Sequence, residues 1–221
     1  MRDSVAGVLL AAGAGSRFGQ PKALVELDGQ TIAERGVSLL RAGGADPIIV
    51  VTGAAQVDLT GIHQLHNEQW RTGMGSSLRV ALQALAGPGH PPGHAALERD
   101  PSPPALPPDV GAVVVALADQ PLVSPAAVAR LIAAYRDGAT VAVAAYDGKP
   151  RNPVLLARVH WPEVIATATG DQGARAFLRA HPDLVTLIEC GDTGSPDDID
   201  TPADLDRVTS RYRGSQPPPS G

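Results

Sequence analysis

One cysteine, Cys190, in 221 residues excludes an internal disulfide and fits a reducing compartment. No apolar run approaches the roughly 20 residues needed to span a bilayer. Asp3 follows the early cation Arg2, and glycine interrupts the apolar stretch that leads to Ala12, so no secretion signal is expected. A soluble, cytoplasmic protein with no membrane contact is expected. There is no basic excess either. A formal net charge of -5 and a pI near 5.6 argue against general nucleic-acid binding, so any contact with a polyanion should be local. The chain reads as one domain over residues 1–213, because 43% hydrophobic residues can bury a full core.

Two familiar phosphate motifs are missing as well. A dinucleotide fingerprint needs a third glycine where Phe18 stands. A Walker A loop needs a hydroxyl after its lysine, and Lys22 is followed by Ala23. What is present is the stretch Val8 to Lys22, an apolar strand running into a loop with Gly13, Gly15 and Gly19 and the cations Arg17 and Lys22. Such glycines let main-chain N–H groups converge on an anion. The arginine adds a fork of donors and the lysine a mobile point charge. These residues predict a phosphate cradle, and the pattern L-A-A-G-x-G-x-R-x-G-x-P-K resembles the signature of nucleotidyltransferases that bind a nucleoside triphosphate.

Short apolar runs at 5–10, 48–51, 113–117, 141–145 and 185–188 read as buried strands. Cys190 reads as a buried strand residue. Leu78, Ala81, Leu82 and Leu85 mark one helix face, and Val128, Leu131, Ile132 and Tyr135 mark another. Ser124-Pro125 and Thr201-Pro202 each place a capping hydroxyl before a first-turn proline. Alternating strands and helices predict a Rossmann-like three-layer α/β sandwich with a mainly parallel sheet and ligands at the carboxyl ends of its strands. Residues 87–109, crowded with proline and glycine, read as a surface loop, and 214–221 as a disordered tail. His90 and His94 lack ligand spacing, and His63, His66 and His160 read as surface or structural residues.

Asp119, in Leu117-Ala118-Asp119-Gln120-Pro121, emerges from a buried strand, where an unpaired charge would not point into the core. Asp200, at a second boundary before Thr201-Pro202, is able to face the same crevice. Two carboxylates with phosphate oxygens suit magnesium. Asp200 equally fits a helix entry. The string Asn67 to Leu78 turns through Gly73 and Gly75 into a helix with Ser76 and Ser77 at its start. Trp70 and Trp161 fit either packing or stacking on a base or pterin.

Four blocks in order, Leu10 to Lys22, Asn67 to Leu78, Asp119 to Pro121, and Gly170 to Arg175 followed by Asp198 to Pro202, resemble the MobA-like nucleotidyltransferase group. Within it the chain looks most like the molybdenum cofactor cytidylyltransferases. The resemblance implies a nucleotide-diphospho-sugar transferase-like fold. It implies that Leu10, Ala11, Ala12, Gly13, Gly15, Arg17, Lys22, Asn67, Gly73 and Ser76 bind nucleotide, with Lys22, Arg17 and Asp119 catalytic. Asp119 and Asp200 would hold Mg2+. Asn152, Pro153 and Asp171 would face the acceptor, although Asp171 also fits a helix N-cap. The paired alanines look like the cytidylyl form, which points to CTP rather than GTP.

The implied reaction transfers CMP from CTP to the phosphate of molybdopterin and releases pyrophosphate, with molybdoenzyme maturation proteins as further partners, in a monomer or dimer. Where relatives carry Gly-His-Pro-Val, this chain has Arg151-Asn152-Pro153-Val154, and asparagine takes up no proton. The acceptor therefore stays open between molybdopterin and a sugar phosphate or other small phosphorylated alcohol. Guanylyl transfer from GTP to molybdopterin and a catalytically silent nucleotide-binding accessory protein are the remaining alternatives.

Overall fold

The computed structural model describes residues 4–87, 106 and 109–214, with the backbone alone for 210–214. Apart from residues 87, 106, 109 and 214, the expected loop over 87–109 and tail over 214–221 lie outside the described residues.

β1 (Ser4–Leu10) is built for the centre of a sheet. Its alternate residues are apolar on both sides, so Val5 and Leu9 enter one core and Ala6, Val8 and Leu10 the other. Lys22–Leu24 forms a 3-10 turn. A hairpin of β2 (Glu26–Leu27) and β3 (Gln30–Thr31) then leads into α1 (Ile32–Ala42). Thr31 and Glu34 close a capping box at the start of α1. β4 (Ile48–Thr52), β5 (His63–His66), α2 (Met74–Ala86), β6 (Val110–Leu117), α3 (Pro125–Arg136), β7 (Val141–Tyr146) and β8 (Lys149–Ala157) follow. The chain continues through α4 (Trp161–Thr167), α5 (Arg175–Ala180), β9 (Val185–Glu189) and α6 (Pro202–Gly214).

Among the described residues the main sheet has seven strands in the order β5-β4-β1-β6-β8-β7-β9. It is mainly parallel, as expected, but β8 runs antiparallel to both β6 and β7. The cause is local. Asp147 and Gly148 both have positive φ, 52° and 71°, and form the two-residue hairpin that reverses the chain after β7. Asp28-Gly29 does the same between β2 and β3, with φ of 50° and 76°.

α1 and α3 cover one face of the sheet, where Leu40, Leu131 and Ile132 pack with Leu9. α2, α4 and α5 cover the other with Leu82, Trp161 and Phe177. The faces foreseen on α2 and α3 are buried except for Tyr135, which is half-buried. Ser124 Oγ accepts the Ala127 N–H at 3.3 Å, confirming that cap. Cys190 is fully buried but follows β9 rather than belonging to it, and its N–H donates to the Ala145 carbonyl. Among the described residues, no helix is long and apolar enough to cross a membrane.

Candidate active site

Three strand ends are tied in a row. The Ala11 N–H donates to the Val51 carbonyl at 2.9 Å, and the Ala118 N–H to the Leu10 carbonyl at 3.1 Å. The chain leaves β4, β1 and β6 at one edge of the sheet, where parallel sheets place their ligands. A cleft of about 210 Å³ opens there, floored by Leu10, Ala11, Ala12 and Gly13 and walled by Leu117 to Asp119. Trp70, Gly73, Met74 and Ser77 form the opposite wall, and Lys22 and Asp171 also reach it.

The glycine loop folds on itself. Gly15 has φ +61°, and its carbonyl accepts from the Phe18 and Gly19 N–H groups at 2.8 and 2.9 Å. A Cβ on Gly15 would sit 2.0 Å from the Gln20 carbonyl oxygen, so only glycine fits this turn. The Phe18 and Gly19 amides are thereby turned inward. Those from Gly13 to Arg17 have no backbone acceptor among the described residues. An anion would meet these amides, not all of the loop.

Lys22 Nζ lies 3.1 Å from Asp119 Oδ2 and 2.5 Å from Asp200 Oδ1. Arg17 adds a longer contact of 3.4 Å to Asp200. Partial burial pulls the Lys22 pKa down, but hydrogen bonds and charge from Asp200 and Asp119 more than reverse this and leave it raised. The approach of two remote segments is built by backbone. The Ile199 N–H donates to the Asp119 carbonyl at 2.8 Å, and the Ser195 N–H to the Leu122 carbonyl at 3.1 Å. Gln120, buried beside Asp119, donates to Asp198 Oδ1 at 2.8 Å and to the Pro196 carbonyl at 3.2 Å. Partial desolvation raises the Asp198 carboxyl pKa; the Gln120 hydrogen bond opposes that rise and the charges of Asp119 and Asp200 add to it. Asp204 Oδ2 accepts from the Asp200 and Thr201 N–H groups and from Thr201 Oγ1, which fixes Asp200 at the foot of α6.

Other foreseen residues sit differently. Asn67 is fully buried; its Nδ2 donates to Ser76 Oγ at 2.7 Å and Ser77 Oγ at 2.9 Å, and its Oδ1 accepts the Gln69 N–H. Ser76 Oγ is also spent on the Gln69 and Gly73 carbonyls. Both act beneath the cleft as a brace, and Ser77 rather than Ser76 lines it. The doubled serine was visible in the sequence, but the choice between the two needed the helix orientation. Asp171 lies in the 3-10 turn Gly170–Gln172, whereas the N-cap of α5 is Ala174, so Asp171 is a rim residue and not a cap. Asn152 and Pro153 belong to β8 and do not line the cleft. Since Val154 pairs with Val115, Asn152 reaches the level of Leu117 at the same sheet edge. Trp161 is packing, 1% exposed, with its indole N–H on the Leu156 carbonyl.

The model of the MobA-like NTP transferase domain matches residues 7–185. The chain belongs to this family. It is a MobA-like nucleotidyltransferase, and Asp200 lies beyond the matched span. Its relatives include the nicotine blue oxidoreductase of Paenarthrobacter nicotinovorans, 36% identical over 92% of this chain and 96% of that one. A probable molybdenum cofactor guanylyltransferase of Opitutus terrae is 35% identical over 39% of this chain and 44% of its own. Among solved structures, the Rv0371c homologue from Mycobacterium sp. strain JC1 superimposes with a TM-score of 0.74 at 29% identity, covering 98% of this chain and 100% of that one. Rv0371c of Mycobacterium tuberculosis H37Rv, solved with manganese, gives 0.67 at 25% identity over 94% and 98%. The MobA-like domain here thus has the nucleotide-diphospho-sugar transferase fold of its structural neighbours.

Proposed function

We propose that this MobA-like enzyme transfers CMP from CTP to a phosphorylated acceptor, molybdopterin, and releases pyrophosphate. The observation that carries this reading is the meeting of Lys22, Asp119 and Asp200 at the mouth of a cleft floored by Leu10 to Gly13. Two carboxylates within 3.1 Å of one ammonium nitrogen can share a single cation. Their hard oxygens suit Mg2+, completed by phosphate and water, and a relative's complex with manganese supports a divalent ion. Asp119 and Asp200 would hold the magnesium, which when bound supplies charge that neutralises the leaving pyrophosphate.

The residues of the chain supply the rest. The backbone from Gly13 to Arg17 offers N–H donors to the triphosphate, and Lys22 and Arg17 add positive charge. An oxygen of the acceptor phosphate attacks the α-phosphorus as the bond to the bridging oxygen of pyrophosphate breaks. That phosphate is ionised at neutral pH, so no general base is needed. Asp171, on the cleft, and Asn152, at the same sheet edge, are assigned to the acceptor, and the likeness of the paired Ala11 and Ala12 on the cleft floor to the cytidylyl form supports CTP as the donor. The resemblance to a guanylyltransferase over part of the chain supports a second reading, guanylyl transfer from GTP at the same site.

Pyrophosphate release from CTP and GTP with Mg2+, in the presence of molybdopterin, of a sugar phosphate or of no acceptor, tests both. Release from CTP that requires the acceptor and disappears in Asp119→Ala is expected. Release from GTP alone moves the assignment to guanylyl transfer. Release only with a sugar phosphate removes molybdopterin as the acceptor.

A further inference from the structure

Trp70 is not needed by the chemistry above, yet it stands on the wall of the cleft. Its backbone is tied on both sides. The Trp70 N–H donates to the Asn67 carbonyl at 3.2 Å, and its own carbonyl accepts the Gly73 N–H at 3.2 Å, so the 3-10 turn Trp70–Thr72 is held at both ends. Asn67 is itself locked by Ser76 and Ser77. Behind the indole lies Gly53, just past β4. A Cβ there would come within 2.6 Å of Trp70 Cβ, 2.7 Å of Trp70 Cγ and 2.8 Å of the Ala12 carbonyl oxygen. The absence of a side chain at 53 lets the tryptophan approach the nucleotide loop itself.

The electronic setting is equally specific. The Arg71 guanidinium carbon sits 4.3 Å from the Trp70 ring centroid, a cation–π contact on one face of the ring. Trp70 is half-buried while Trp161, the other tryptophan of the chain, is enclosed. A half-exposed indole with a cation on one face, beside the floor of a ligand cleft, is a poor way to fill a core. It is a good way to present an aromatic surface.

We propose that Trp70, with Arg71 on one ring face and admitted by Gly53, is a stacking platform for a planar heteroaromatic ring bound in the cleft. The proposal rests on the nucleotidyltransferase reading for the identity of that ring. Two sources share the chemistry, the nucleobase of the donor and the bicyclic ring of a pterin acceptor. The contact of Gly53 with both Trp70 and Ala12 places the platform next to the loop assigned to the donor.

Two tryptophans make the test direct. In Trp161→Phe the indole of Trp70 is the only one left, and the difference between wild type and Trp70→Phe gives the same signal should that variant fold poorly. Absorbance-corrected emission is followed while CTP with Mg2+, or free pterin, is added, with calorimetric Kd values in parallel. Quenching of Trp70 by CTP without acceptor is expected, with binding about ten- to a hundredfold weaker in Trp70→Leu and largely kept in Trp70→Phe. Quenching by pterin alone supports the platform and makes the acceptor its ligand. Wild-type affinity for both ligands in Trp70→Leu, with no quenching, overturns the platform. If CMP transfer proceeds in that case, the transferase reading stands by itself. If Trp70 is quenched by CTP but no phosphorylated acceptor receives CMP, the platform stands and the transferase reading falls. Binding of neither ligand removes both.

Discussion

Lys22 Nζ lies 2.5 Å from Asp200 Oδ1, although 178 positions separate the two residues. The contact joins the end of the glycine loop to the foot of α6, and Asp119 completes it from the end of β6. If this ammonium neutralises the departing pyrophosphate, Lys22→Ala should lower the rate of pyrophosphate release by about 10²–10³. CTP affinity should fall less, since the cleft floor stays intact. Steady-state release assays and calorimetry on one preparation separate the two effects.

Asp119→Asn and Asp200→Asn each leave shape almost unchanged while removing a charge from the proposed cation site. Both should weaken Mn2+ binding in the presence of CTP by at least about tenfold. Electron paramagnetic resonance of free Mn2+ reads this without turnover. Equal affinity in wild type and both variants would move the metal elsewhere.

Gly73 has φ +107°, and a Cβ there would lie 2.3 Å from the Gly170 carbonyl carbon and 2.7 Å from Asp171 Oδ1. Gly73→Ala must strain its own backbone and push the Asp171 turn outward. We expect a loss of about 1–3 kcal/mol in urea denaturation. If Asp171 serves the acceptor, as proposed, the KM of the acceptor should rise more than that of CTP.

The capping box of α1 gives a pH signature. Glu34 Oε2 accepts the Thr31 N–H at 2.7 Å and Thr31 Oγ1 at 2.8 Å, and these bonds hold its carboxyl below the ordinary carboxylate value of 4.5. A depressed pKa contributes stability that is present above the unfolded value and is lost as pH falls through the folded one. Glu34 is exposed and water screens its charge, so Glu34→Gln should lower Tm at pH 7 only slightly, by the equivalent of at most about 0.5 kcal/mol. The gap should close below pH 4.5. Melting curves of both proteins from pH 7 to pH 3 provide the check.

Where residues act through local chemistry, the sequence was readable. Val5 to Leu10 declares a doubly buried strand, Ser124-Pro125 a helix start, and Lys22, Asp119 and Asp200 charges that need partners. The reversed strand β8 was not foreseen. Its first half, Lys149 to Asn152, is polar and breaks any strand period, although Asp147-Gly148 was a hairpin signal in plain view. Asn67 and Ser76 are assigned to the nucleotide by the family resemblance and not by their local chemistry. Their partners turned out to be each other, which only the packing of α2 against the turn could reveal. Trp70 and Trp161 are alike by residue type, and burial and the cleft separate them.

The route by which Asp200 reaches Lys22 also orders events in time. The last strand of the sheet ends at Glu189, whereas the second carboxylate arrives with the segment that crosses beside Asp119 on its way to α6. As the chain emerges from a ribosome, the whole sheet can assemble before Lys22 acquires both of its partners. A nascent or clipped chain ending near residue 190 would contain all the described strands and the cleft floor, but only one of the two carboxylates that hold Lys22.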